Sequence, residues 1–372
     1  MSVRIAHIAD THLGAGGFGN KLSESGINRR EEDVCNAFSY CIDRILEMKP
    51  DLVIHAGDLF HTVRPSNRII NFAIREILKL SRAEIPVVII SGNHDAPRQR
   101  SVGHVLSIFE NLPGVYPVFR SKFESLRFGP VALGCLPHCL TTDILHQEIE
   151  KAHPGDAEVN ILIAHGVVSG IEQFSMAELS EEEIPSSVFE RGFDYVALGH
   201  YHRYTQVDDN VYYAGSTERL SFGELGEKKG FLEVVLPERE VMFHRIPARE
   251  MIELEKIDSA GLDYDQLKQV VESRFDDVDL KDKIVRLKIY NLPEVLYRNL
   301  PVKDIRQKSS EAFYFKLVTE REEVEQYELA KDVKFSHVLD EFRSYLSSRP
   351  VEKLDKDRLL EMAQKYFSEQ EN

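Results

Sequence analysis

The chain has 372 residues, 42% of them hydrophobic, with 62 acidic against 46 basic side chains and a net charge of −16. That length allows one large domain with a smaller one or two, and no apolar run approaches the roughly 20 residues of a membrane-spanning helix. Four cysteines, Cys35, Cys41, Cys135 and Cys139, are too sparse for a disulfide scaffold. They read as reduced, buried thiols, and the spacing of Cys135 and Cys139, with no second pair downstream, reads the same way rather than as zinc. The N-terminus, Met1–His7, enters a strand pattern with no basic segment or signal-peptide core, so the expected location is the cytosol, at the nucleoid in a prokaryote. The charge is uneven: residues 1–150 carry 16 basic and 17 acidic side chains, and residues 151–200 carry 2 and 9. The acidic excess argues against a broad basic footprint for nucleic acid, but not against binding through metal ions and a few placed Lys or Arg.

Along the chain, Val3–Ala9 is a compact apolar strand. Glu31–Met48 repeats Val34, Phe38, Cys41, Ile45 and Met48 at helical steps. Leu52–Ala56 reads as a strand, Ile69–Leu80 as a helix, Val87–Ile90 as a strand and Val102–Leu112 as a helix. The Gly-rich patch Gly14–Gly19 after the first strand reads as a mobile loop and does not fit a dinucleotide fingerprint. Ile161–Ala164 and Tyr195–Leu198 are further buried strands, while Leu126–Leu136, Gln206–Ala214 and Phe231–His244 read as hairpins. Short apolar strands alternating with helices give an α/β domain over 1–246, and the hairpins make its sheets mixed. Strands at Met251–Ile257, Ile284–Ile289 and Ala312–Val318 with a helix at Tyr264–Phe275 give a small α+β cap domain over 247–330. The remainder, 331–372, reads as a helical tail with helices at Ser336–Ser347 and Lys356–Ser368.

Five motifs each follow an apolar run: Asp10-Thr11-His12, Gly57-Asp58, Gly92-Asn93-His94-Asp95, His165-Gly166 and Gly199-His200-Tyr201-His202. In an α/β sheet the carboxyl ends of neighbouring strands meet at one edge, where ligands bind. Five such ends bring together Asp10, His12, Asp58, Asn93, His165, His200 and His202. Two carboxylates, four imidazoles and an amide oxygen suffice for two metal ions, and suit Mn2+, Fe2+ or Zn2+ better than Ca2+. Asp58, on a tight turn after a glycine, is the expected bridge. Any one of these residues alone would read as ordinary turn chemistry; the ordered set of five reads as a metal site.

This order of motifs resembles the calcineurin-like metallophosphoesterases over residues 3–246. The runs Ile8–Gly14, Gly57-Asp58-Leu59-Phe60-His61 and Ala214-Gly215-Ser216-Thr217-Glu218 resemble the DNA double-strand-break repair nucleases of the SbcD / Mre-eleven type. The resemblance implies a four-layer α/β/β/α sandwich. It implies two Mn2+ per chain, one held by Asp10, His12, Asp58 and His202 and the other by Asp58, Asn93, His165 and His200. It implies exonuclease and endonuclease activity on DNA ends and single strands. His94 would act over the scissile phosphate with Asp95 orienting it, and His61 would position DNA. It further implies a homodimer and an SMC-like ABC ATPase partner of the SbcC / Rad-fifty type, docked on the tail. The apolar residues of Ile69–Leu80 and Val102–Leu112 are the expected two-fold contact. DNA-contact candidates are Arg29, Arg30, Arg64, Arg98 and Arg100 near the site, and Lys281, Lys283, Arg286 and Lys288 in the cap. The competing readings are a phosphoesterase for small diesters or phosphoproteins and a non-catalytic scaffold for DNA ends.

Overall fold

The computed structural model describes residues 2–19, 21–169, 183–321, 342–343, 345–346 and 356–368. Among them are strands β1 (Val3–Ile8), β2 (Leu52–Ala56), β3 (Val87–Ile90) and β4 (Val115–Val118), then β5 (Glu124–Phe128), β6 (Val131–Leu136) and β7 (Val159–His165). A two-stranded pair, β8 (Val167–Val168) and β9 (Glu183–Ile184), precedes β10 (Tyr195–Gly199), β11 (Thr205–Asp208), β12 (Val211–Tyr213), β13 (Gly230–Leu236) and β14 (Glu240–Arg245). They form two six-stranded sheets, ordered β14-β13-β1-β2-β3-β4 and β11-β12-β10-β7-β6-β5. Parallel strands run from β1 to the edge strand β4 in the first, and through β6, β7, β10 and β12 in the middle of the second. The hairpins β13–β14, β5–β6 and β11–β12 add antiparallel edges.

Strands β2, β3, β7 and β10 are buried at every residue, because both faces of each sheet are covered. Between the sheets, Ile5, Ile54, Val88 and Ile90 pack against Ile161, Ile163, Tyr195 and Ala197. On the far side of the first sheet, Ala6, Val53 and Ile89 meet Phe38, Cys41 and Ile45 of helix α1 (Arg29–Met48) and Ala73 and Ile77 of α2 (Asn67–Arg82). On the far side of the second, Leu162, Val196 and Leu198 meet Leu145 and Ile149 of α3 (Thr142–Ile149). The layers are helix, sheet, sheet, helix. His7 ties them beneath the strand ends: its Nε2–H donates to Leu198 O at 3.2 Å, and Tyr195 OH donates to its Nδ1 at 2.9 Å.

Some elements differ from the reading of the sequence. Val102–Leu112 is not an α-helix but, over Val105–Asn111, a 3-10 helix capped by the His104 side chain. Its buried residues Leu106 and Phe109 lie three apart, the period of that tighter helix. Strand β4 contains Pro117, which is tolerated because β4 is the edge of its sheet. The Gly14–Gly19 segment is packed, with Phe18 edge-on to Phe222 and Tyr314 and Asn28 Nδ2 donating to Gly16 O at 3.1 Å. The proposed two-fold contact loses most of its residues to the core: Ile69, Ile77, Leu106 and Phe109 are buried, and Phe72, Ile74 and Ile108 pack on the same cluster. All four cysteines are buried, and none is in a disulfide.

The cap residues form a separate sheet of β15 (Met251–Glu253), β16 (Ile257–Asp258), β17 (Ile284–Leu292) and β18 (Tyr314–Arg321). Helices α4 (Tyr264–Ser273), α5 (Glu294–Arg298) and α6 (Val302–Lys308) accompany it around a core that includes Leu267, Val271, Leu287 and Ile305. Arg249 fastens this part to α1: its guanidinium takes both oxygens of Asp33, at 2.6 and 2.7 Å, and lies over the Phe313 ring. The chain divides into two compact units, Met1–Glu320 and Arg321–Asn372. In the second, α7 (Lys356–Ser368) matches its expected span. The helix expected over Ser336–Ser347 lies largely outside the described residues, as does the acidic run Glu178–Glu182. No helix among the described residues is long and apolar enough to cross a membrane.

Candidate metal centre

The parallel register carries the motifs to one edge. Asp10 and His12 follow β1, Asp58 follows β2, Asn93 follows β3, His165 ends β7, and His200 and His202 follow β10. All seven meet there. Asp10, His12, Asp58 and His165 are almost fully buried, at 1, 0, 1 and 5% exposure. Ligand atoms of Asp10, His12 and His202 form one group, and those of Asp10, Asp58 and His165 another, each within 4.8 Å. His12 Nε2 lies 3.0 Å from His202 Nε2 and 3.7 Å from Asp58 Oδ2. His165 Nε2 lies 3.1 Å from Asn93 Oδ1 and 3.5 Å from Asp58 Oδ2, and His200 Nδ1 lies 3.3 Å from Asn93 Oδ1. Asp10 is common to both groups, and Asp58 Oδ2 lies between His12 of the first and His165 of the second.

Local backbone chemistry explains the glycines. A methyl group on Gly57 would lie 2.1 Å from His165 Nδ1, and one on Gly92 would lie 2.1 Å from Asp58 Oδ1. One on Gly199 would strike Ala56 O at 1.9 Å. The ligand side chains close over bare backbone. Asp10, His12, Asp58 and His200 themselves hold positive φ, at 51, 45, 54 and 105°. Such strain costs on the order of 1–3 kcal/mol per residue and persists where the surroundings enforce it, typically at functional sites.

The outward nitrogens of two imidazoles are fixed by acceptors. His165 Nδ1–H donates to Ala56 O at 2.8 Å, and His202 Nδ1–H donates to Glu224 Oε1 at 3.2 Å. Their Nε2 lone pairs therefore point inward. For His165 that lone pair faces Asn93 Oδ1 and Asp58 Oδ2, so three acceptors converge. Acceptors converge without penalty only on a cation, a proton or a metal ion. Without metal the proton serves: burial lowers His165, but Asp58 and Asp10 outweigh it and push the ring up to about 9. Burial raises Asp58, yet His165, His12 and His94 hold it well below the usual carboxylate range. Asp10 is pushed up to about 6, by burial first, against the pull of His165 and His202. The donor set fits divalent ions, which would replace that proton.

A stability profile follows for the metal-free protein. His165 is raised from 6.5 to about 9, so its contribution is full below pH 6.5 and lost as pH rises through 9. Burial pushes His7, His55 and His200 down to about 3, so each contribution is lost as pH falls below 6.5, where the unfolded chain takes up protons first. Asp10 and Asp95, both raised first by burial, oppose this on the acid side, but the lowered histidines, His12, His104 and His138 among them, outnumber the two. The melting temperature in EDTA is expected to peak between about pH 6 and 7, and added Mn2+ should raise the alkaline limb most. A metal-free curve that climbs steadily from pH 7 to 9 would contradict this arrangement.

The motif residues that are not ligand candidates divide. His94 is exposed; its Nδ1–H donates to His61 O at 3.2 Å, and its ring stacks on that of His61 at 5.2 Å. His61 in turn places Nδ1 3.4 Å from His12 Nδ1. Asp95 does not orient the His94 ring. It is fully buried, and its carboxylate accepts from Leu59 N at 3.1 Å and Gly92 N at 3.0 Å, locking two site loops together.

Sequence reading missed the support of His202. Lys229, 1% exposed, donates to His202 O at 3.0 Å and Ser216 Oγ at 2.9 Å, and pairs with Glu224 and Glu227. Ser221-x-x-Glu224 is a capping box, a legible pattern. Nothing in the sequence shows that the same Glu224 also grips His202. The Ser216 and Glu218 of the motif belong to this frame: Glu218 accepts from the backbone of Arg219 and Arg249 at 2.7 and 3.1 Å.

Most basic candidates for a DNA surface are engaged elsewhere. Arg29 pairs with Asp282, buried Arg30 with Asp33, Lys283 with Glu250, and Arg286 and Lys288 with Glu253. Arg64 and Arg98 are exposed, share a hollow with Asn93 and have no ion-pair partner among the described residues.

A model of the calcineurin-like phosphoesterase family matches residues 3–204. A DNA double-strand break repair protein Mre11 of Methanococcus maripaludis is 30% identical over 237 residues, covering 61% of this chain and 60% of that protein. The chain thus matches less than two thirds of that relative's length. TT1561 of Thermus thermophilus is similar at a TM-score of 0.44 and 13% identity over 66% of this chain and 100% of that one. The Pseudomonas putida nuclease MPE is similar at 0.19 and 20% identity over 44% and 62%. Structural likeness this distant bears on neither fold nor activity. The family match runs over the strands and loops that deliver all seven donors, and on more than half its length the chain belongs to the calcineurin-like phosphoesterases.

Proposed function

We propose that this protein is a two-metal DNA nuclease that processes DNA ends in double-strand-break repair, with manganese as its metal. The observation that carries the reading is the pair of adjoining donor groups with Asp10 in common and Asp58 Oδ2 set between His12 and His165. Asp10, His12, Asp58 and His202 would hold one ion, and Asp58, Asn93, His165 and His200 the other. Bound there, the ions would supply Lewis-acid polarisation of the phosphoryl oxygens and lower the pKa of the attacking water. The chain's own residues do the rest. His94, its Nδ1–H held by His61 O, presents Nε2 to the substrate. As an imidazolium it gives a proton to the leaving oxygen. His61 backs that ring and so couples substrate position to the first donor group. Arg64 and Arg98 offer charge to phosphates on either side of the scissile one. DNA as substrate is supported by the name and 30% identity of the Methanococcus maripaludis relative.

The test is cleavage of end-labelled linear duplex and single-stranded DNA, with and without Mn2+, beside a p-nitrophenyl phosphodiester. DNA cleavage, both exonucleolytic and endonucleolytic, is expected only with metal. The double variant Arg64→Glu/Arg98→Glu should lose roughly 10-fold or more in kcat/KM on DNA, with a shallower salt dependence. Hydrolysis of the diester alone would make the protein a small-diester phosphoesterase.

The cap, 247–330, and the tail, 331–372, are assigned to DNA and to a protein partner, an SMC-like ABC ATPase of the SbcC / Rad-fifty type. In α7 Leu359, Leu360 and Ala363 are half-buried and Met362 is 62% exposed, the anchor types a groove on a coiled coil would take. A chain ending at Val333 is expected to keep metal-dependent cleavage and lose the ATPase in a pull-down; retained binding would place the contact elsewhere. Two-fold pairing would use Ile70 and Leu78 of α2, half-buried and outside the core cluster of α1 and α2. Light scattering at micromolar concentration should give twice the chain mass, and a monomer would remove that part of the reading.

A further inference from the structure

Two cavities lie side by side, the first of them against the second donor group. The first, about 640 Å3, opens on Asn93, His165 and His200. Its wall is aliphatic, from Ala96, Leu140, Ile144 and Leu145, with His138 and Thr141 as polar points. The second, about 570 Å3, shares Ala96, Leu140 and Ile144 with the first and carries His104 and Lys122. Each has the size of a small-ligand site, and its lining is divided between apolar and polar groups: Arg98 adds charge to the first, and Arg120 and Glu148 add it to the second.

The polar groups are held for use. His138 is anchored by its backbone, N–H to Ser91 O at 2.9 Å and O from Ser121 Oγ at 3.1 Å, and its ring has no hydrogen-bond partner among the described residues. Burial, with the nearby His165, pushes it down to about 4, so the ring is neutral and offers one donor and one acceptor. In the second cavity His104 Nδ1 accepts from Leu106 N at 3.2 Å. Its proton is therefore on Nε2, and that atom is buried with no partner. An unmet buried donor is unfavourable and marks a place where a ligand oxygen would be welcome. Lys122 is exposed and has no ion-pair partner among the described residues. Leu140 stands 37% exposed at the boundary of the two hollows.

We propose that the two cavities form one groove for a nucleotide strand. The first takes the nucleoside next to the scissile phosphate, base against the Leu140–Ile144 wall and base edge to His138. The second takes the next phosphate, between Lys122 and the His104 Nε2–H. The proposal rests on the phosphodiesterase reading of the adjoining site and names which part of the substrate lies where.

The test compares two diesters of the same leaving group, thymidine 5′-(p-nitrophenyl phosphate) and methyl p-nitrophenyl phosphate, with a labelled oligonucleotide as a third substrate. Leu140→Trp, which narrows the first cavity from an exposed position, should raise the KM ratio of nucleoside ester to methyl ester by about tenfold. Ile144→Ala, which widens it, should raise the same ratio if Leu140→Trp does not fold. Lys122→Glu should raise the KM for the oligonucleotide by roughly tenfold relative to that for the nucleoside ester. Metal content by elemental analysis accompanies each variant. Ratios within twofold of wild type in all folded variants overturn the groove. A wild-type protein that hydrolyses the nucleoside ester but not the oligonucleotide overturns the DNA reading instead, while a shifted nucleoside ratio still supports the first cavity.

Discussion

Asp58→Asn is expected to reduce metal-dependent phosphodiester hydrolysis by about 10³-fold or more, equivalent to about 4 kcal/mol on the barrier. The size follows from position. Asp58 Oδ2 lies 3.7 Å from His12 Nε2 and 3.5 Å from His165 Nε2, so one side chain serves both donor groups. Its other oxygen accepts the His94 backbone N–H at 2.9 Å and sets the loop that presents the His94 ring. Asparagine keeps the shape and an oxygen but removes the charge that offsets two cations. Elemental analysis should find fewer than two ions per chain. His200→Ala removes a ligand of one group only, so it should retain more metal than Asp58→Asn. Equal, near-complete metal content in both variants would show that Asp58 is not shared. Folding should survive in each, because the sheets are held by the Ile5–Ile163 layer and not by the site.

The convergence of the seven candidate donors was legible because of how parallel sheets work. Each donor follows a continuous apolar run, and register carries the run's end to a common edge without further information. The three expected hairpins formed for the same reason, since alternation and turn residues act locally. What escaped depends on contacts between residues far apart in sequence. Arg30 and Asp33 look like surface charge on a helix, yet Arg249, more than 200 residues on, makes Asp33 the fastening point of the cap. Lys283, Arg286 and Lys288 look like a basic strand, and each is neutralised by an acid of a neighbouring segment. Lys229, the second of a Lys-Lys pair, looks like surface charge, but four acceptors bury it under His202. Asp95 is the instructive case. Its neighbours in the motif implied a partner to His94, whereas the turn directs its carboxylate at Leu59 N and Gly92 N. Burial and the nearby Asp58 push it well above the ordinary carboxylate range, which suits a structural group and not a solvent-facing one.

His94→Ala should separate metal binding from chemistry. The ring lies at the exposed edge of the cluster, centred 4.7 Å from that of His12 and 5.2 Å from that of His61. It belongs to neither of the groups that share Asp58, and the backbone N–H that does touch Asp58 remains in alanine. Metal content is therefore expected to stay at the wild-type level. Turnover should fall by roughly 10²-fold or more, because the leaving oxygen loses its proton donor. The loss should depend on the leaving group. On DNA, whose leaving alkoxide needs the proton, the full deficit is expected; on a p-nitrophenyl ester, whose phenolate leaves unaided, most of it should vanish. His61→Ala, which keeps the carbonyl that holds His94 but removes the stacked ring, should give a smaller deficit on both. Retention of full turnover on DNA by His94→Ala, with metal content unchanged, would falsify the proton-donor role and leave the ring a surface contact. Parallel loss of metal and activity would instead place His94 among the ligands, beside His12 and His61, the third group of donors that this edge of the sheet brings within 4.8 Å.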